Sequence, residues 1–127
     1  MRATLLLIVM MSCSEARLEA EEPVWGKQQC SHCAMLVSEK ASAAQLVTID
    51  SKRRFFDDVG CLAAWELREK PAVSARWVRA GGKWVDPASA HFSGGHATPM
   101  DFGFLADPAG TLTFDQVRSA VQDKVKQ

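Results

Sequence analysis

Apolar and polar positions alternate with period two over Gln45–Asp50, and Asp50-Ser51-Lys52 turns the chain back into Arg53–Phe56, so residues 45–56 read as a β-hairpin. The period then changes. Val59, Leu62, Ala63, Trp65 and Leu67 give one broad apolar side to a helix over 59–70, with Asp57 and Asp58 offering an N-cap and Pro71 stopping it. Ala72–Val85 resembles a second hairpin closed at Gly81-Gly82, a pair that permits positive φ in a two-residue turn, and Asp86-Pro87 marks a boundary. Beyond it, residues 88–112 carry the glycines and proline of a loop; Met100, Phe102 and Phe104 share a face if their segment is extended. Asp107-Pro108-Ala109-Gly110 turns again. Thr113 and Gln116 then form a capping box, with Leu112 and Val117 placed as a hydrophobic staple, ahead of a short amphipathic helix from 114 to about 124. The pattern predicts an α+β fold: a ββαβ unit over 30–86, with a short strand over Cys33–Val37 ahead of it, and a shortened second α+β unit over 87–127.

The N-terminal residues change this picture by adding an address. Arg2 followed by the apolar run Leu5–Met11 is far too short to span a bilayer, and Ser12-Cys13 after it resembles the lipobox of bacterial lipoproteins. Residues 1–12 are read as a signal peptide, Cys13 as the lipidated residue, and 13–29 as an acidic, Ala-rich tether. The expected location is the periplasm, with lipid anchoring to the membrane, the outer one for preference. At 127 residues the chain is one modest domain or two very small ones, and 15 basic against 15 acidic side chains leave no net charge. With no basic stripe, nucleic acid is not an expected partner.

Four cysteines become three usable ones once Cys13 is acylated, an awkward number for a purely structural disulfide scaffold outside the cytosol. A metal accounts for the odd thiol. The donors concentrate in Cys30-Ser31-His32-Cys33-Ala34-Met35, and an extended Ala34–Val37 would place the Cys33 and Met35 sulfurs on one face. Thioether sulfur is a poor ligand for zinc and a good one for Cu(I), so the Cys-x-Met pair favours copper. Cys30 and the loop residues Met100 and His96 are further candidate ligands, His32 a secondary one, and His91 neither. Tetrahedral zinc on Cys30, Cys33, Cys61 and a histidine is the competing set. Cys61, in the first helical turn, reads mainly as a small buried hydrophobe beneath Trp65. An apolar stretch after Cys33 speaks against a thioredoxin-type pair, Ala34 excludes a c-type haem site, and no catalytic spacing stands out, so no enzyme is expected.

An ordered set of segments resembles the NosL family, copper-handling lipoproteins encoded alongside nitrous oxide reductase. They are C-S-H-C-A-M at 30–35, F-F-D-D-V-G-C-L-A-A-W at 55–65, K-W-V-D-P-A-S-A-H-F at 83–92, T-P-M-D-F-G-F at 98–104 and L-T-F-D-Q-V at 112–117. The resemblance implies a monomer of two small ββαβ units, similar to the N-terminal part of organomercurial lyase. It further implies that Cu(I) is bound through Cys33, Met35 and Met100 and delivered to the nitrous oxide reductase apoprotein or its assembly factors. The family's Gly between Cys and Met is Ala34 here, Asp101 stands where a Gly often follows the second Met, and the second unit is shorter than usual. The alternative is an exported interaction module held by zinc or a disulfide.

Overall fold

A computed structural model describes residues 18–127; the signal segment and Cys13 lie outside the described residues. The fold is mixed α+β. β1 (Ala44–Thr48) is the centre of a four-stranded sheet, paired antiparallel with β2 (Arg53–Phe56) on one side and β3 (Val73–Ala80) on the other, with β4 (Lys83–Val85) at the far edge. Helix α1 (Val59–Glu69) lies between β2 and β3 in the chain. The order is therefore ββαββ, the predicted unit with its last strand doubled back. A two-stranded ribbon of β5 (Phe92–Ser93) and β6 (Leu105–Ala106), then helix α2 (Phe114–Val125), complete it.

Alternation sorts β1 as the sequence requires. Ala44 and Leu46 join the main apolar core with α1, whereas Gln45 points to the opposite face and is still buried. What covers it is the chain ahead of Cys30: Gln45 exchanges hydrogen bonds with the Glu21 backbone at 3.0 and 2.8 Å, and Arg53 donates to the Glu19 carbonyl at 2.8 Å. Glu22 accepts from the indoles of Trp25 and Trp84, which stack with centroids 6.4 Å apart. Residues 19–25 of the acidic segment thus lie strapped to the sheet.

The helix signals hold. Asp58 caps α1 by accepting from Gly60 N at 2.8 Å, Lys70 ends it in the left-handed region just before Pro71, and Thr113 with Gln116 forms the capping box of α2. Both helices feed one continuous core that runs from Val37 through Phe56, Leu62 and Phe92 to Val121.

Two expected strands do not form. Cys33–Val37 is not extended: residues 31–33 make a turn, Ala34 has φ 65°, and a single bridge joins Gln29 to Leu36, so the donor stretch is a tight hairpin. A left-handed residue between Cys33 and Met35 cancels the period-two argument that put their side chains on one face. The segment 100–104 is likewise a loop, because Asp101 (φ 57°) and Gly103 (φ 82°) are both left-handed, and Met100, Phe102 and Phe104 share no strand face. No helix among the described residues is long and apolar enough to cross a membrane.

Candidate metal centre

The hairpin of residues 29–36 is closed by Cys30 N donating to Met35 O at 2.7 Å and Ala34 N to Cys30 O at 3.1 Å, and it is pinned to the end of β2 by Ser31 N donating to Phe55 O at 2.9 Å. That pin sets the turn against the β2–α1 junction. Asp57 occupies the junction, and Cys61 is on the first turn of α1. As a result one ligand atom from each of Cys30, Cys33, Asp57 and Cys61 lies within 4.8 Å of every other. Cys30, Asp57 and Cys61 are buried, and Cys33 is partly open to solvent. The cluster is a buried three-cysteine, one-carboxylate set capable of coordinating a metal ion.

Its electrostatics are uneven. Cys30 is held down to about 6, first because the Cys61 thiol donates to its sulfur, and further because the backbone N–H groups of Cys33, Asp57 and His32 point at it. Cys33 is pushed up to about 12, mainly by burial and then by the neighbouring Cys30 and Asp57 charges; its thiol sits 3.4 Å from both Asp57 oxygens. Cys61 is also pushed up, by its bond to Cys30 and by burial. Near neutral pH the cluster is one thiolate between two thiols. Such an arrangement suits an ion, which replaces the two remaining protons with a single charge that all the donors share.

The neighbours fix this geometry. Ser42 Oγ donates to Asp57 O at 2.7 Å, and the second oxygen of Asp58 accepts from Met100 N at 3.0 Å, so the helix cap also anchors the 98–104 loop. Phe102 packs directly on Gly60, where a Cβ would come within 2.0 Å of the ring.

The expected donors separate as follows. Cys30 and Cys33 enter the cluster. Met35, 49% exposed, lines an open groove together with Asp57, Thr98 and Pro99, whereas Met100, 39% exposed, follows Pro99 in the chain and is not among the groove's lining residues. His32 lies 3.3 Å from Arg68 through Nδ1, with burial and the Arg68 charge holding its pKa down. His96 pairs with Ser93 Oγ at 2.7 Å on the β5–β6 loop and, like exposed His91, is not part of the cluster. Of the other two members, Cys61 reads from sequence mainly as core and as a ligand only in the competing zinc set, and Asp57 reads only as a helix cap, a role that Asp58 fills. The spacing Asp57-Asp58-x-x-Cys61 at a helix start was the available signal: the residue before the cap and the third residue after it can both face what packs on the helix end.

Comparison with protein-family models, with curated proteins and with solved structures gave no match for this chain.

Proposed function

We propose that this protein is an exported metal-binding module that holds one thiophilic ion through Cys30, Cys33, Cys61 and Asp57. The observation that carries the reading is the convergence of three thiols and a carboxylate within 4.8 Å, from two chain segments that hydrogen bonding locks together. A carboxylate oxygen beside three thiolates is a four-donor set that Zn(II) accepts, and the ion would staple the 29–36 hairpin to α1. Since Cys33 is the most accessible member, the ion would be reached from that side.

A second reading, transient carriage of Cu(I) for nitrous oxide reductase assembly, is favoured by the half-exposed thioether of Met35 in the groove that Asp57 helps to line. It rests on the NosL resemblance; Ala34, where that family has Gly, and Asp101, where it often does, are both left-handed here. In this reading Cys33, Met35 and Met100 supply the sulfurs and Asp57 stays outside the coordination. Elemental analysis of protein purified without added metal, followed by parallel competition titrations with a zinc and a Cu(I) chelator, separates the two. The four-donor module predicts tightly held zinc with Asp57→Ala weakening it; copper held with Asp57→Ala neutral and Met35→Ala weakening supports the carrier. Absence of stoichiometric binding of either ion would dismiss both.

A further inference from the structure

The three cluster thiols are unpaired and mutually within 4.8 Å, yet they differ in how an external reagent can reach them. Cys61 is wholly buried and Cys30 is 3% exposed, so Cys33 alone meets solvent. It donates to both oxygens of Asp57, a carboxylate itself only 1% exposed. Cys30 sits three residues back in the same turn, and the hydrogen bonds closing that turn already bring the two residues together. A bond between them needs no movement of another element. Bonding either one to Cys61 would instead pull the turn against the start of α1, which Asp58 and Phe102 hold in place.

From this we infer that Cys33 and Cys30 form a thiol–disulfide exchange site for small external disulfides, with Cys33 the attacking sulfur, Cys30 the resolving one and Cys61 spared. Cys33 Sγ attacks one sulfur of R–S–S–R, its proton passing to Asp57, and a mixed disulfide forms as the first RS⁻ leaves. Cys30 Sγ then attacks the Cys33 sulfur, closing the Cys30–Cys33 bond and expelling the second RS⁻. The two protein sulfurs are oxidised and the external disulfide is reduced to two thiols; the Cys33 proton reaches the first by way of Asp57, and the second, expelled by the Cys30 thiolate, takes its proton from solvent. Closure removes two of the three sulfurs from the cluster, so exchange also evicts a bound ion; that consequence alone rests on the metal reading above.

The test uses the full chain, reduced and metal-free, in glutathione redox buffers, with rapid alkylation and peptide mapping. The expected product is a Cys30–Cys33 link with Cys61 alkylated, and Cys30→Ser should trap glutathione on Cys33. Asp57→Asn should slow the first step several-fold at neutral pH while leaving the identity of the link unchanged. A link that includes Cys61, or first capture of glutathione on Cys30, would overturn the assignment. A second arm treats metal-loaded protein with oxidised glutathione beside a chromogenic chelator. Release in step with the link, reversed by dithiothreitol, supports eviction; release with all three thiols still reduced refutes it. Should the link form in a protein that takes up neither zinc nor copper when these are offered, the exchange site stands and the metal-binding proposal falls.

Discussion

Ala34 and Asp101 stand in the left-handed region at φ 65° and 57°, where a side chain costs about 1–2 kcal/mol that glycine does not incur. Part of that gain is lost to the greater freedom of glycine in the unfolded chain, so Ala34→Gly should stabilise the protein by about 0.5–1 kcal/mol in urea unfolding. A loss of stability would contradict the turn geometry. The thiols make a sharper case. Three thiolates are needed to bind the ion, and only Cys30, held down to about 6, is already ionised at neutral pH, while Cys33 is pushed up to about 12 and Cys61 is raised as well. Binding at pH 7 should therefore release about two protons per ion, rising toward three below pH 6 as Cys30 regains its own, and affinity should fall as pH falls. Proton release measured by calorimetry in buffers of differing ionisation enthalpy checks this; about one proton per ion at pH 7 would contradict it. Little of this was legible in residue types. Soft donors at 30–35 announce a metal, but the left-handed Ala34 that turns Met35 aside and the burial that sets each thiol apart exist only in the folded backbone.

At the level of elements, helix α1 is the part that builds the site, because its cap, its preceding residue and its first turn each hold something different. Asp58 bonds Gly60 N and Met100 N, so Asp58→Ala should remove a cap worth about 1 kcal/mol and loosen the 98–104 loop as well. Hydrogen exchange should show the Gly60 and Met100 amides losing protection together, and a loss at Gly60 alone would break the proposed link. Gly60→Ala should cost about 1–3 kcal/mol by driving Phe102 off the helix. Periodicity revealed this helix, the 45–56 hairpin and the capping box of α2, since each rests on local signals. It failed over 33–37 and 100–104 because left-handed residues interrupt both, Ala34 in the first and Asp101 with Gly103 in the second; Ala34 gave no warning by its type, whereas Gly103 did. The pairing of Gln29 with Leu36 and of Ser31 with Phe55 depends on contacts between segments and left no periodic trace.

Across the whole molecule, charged side chains tie the halves together. Buried Glu66 on α1 accepts from Nε and Nη2 of Arg76 on β3 and, at 3.3 Å, from Arg118 on α2. Glu66→Gln keeps the shape and removes the charge, and should cost about 2 kcal/mol in thermal or urea unfolding. The strap of residues 19–25 closes the other face of the sheet over Gln45, something the acidic composition of that segment concealed. All of this fixes α1 against the 29–36 hairpin, and the claim on which the functional account depends is that the meeting of those two elements is a metal centre that includes Cys61. If about 10–16 kcal/mol of binding is shared among four donors, each is worth about 3 kcal/mol, on the order of a hundredfold in affinity. The deciding measurement is a chelator competition on wild-type protein and on Cys61→Ala, with circular dichroism to confirm folding. One ion per wild-type chain, with affinity reduced about a hundredfold in the folded variant, is the predicted result; equal affinity in the two proteins would show that Cys61 is a core residue and no part of a metal centre.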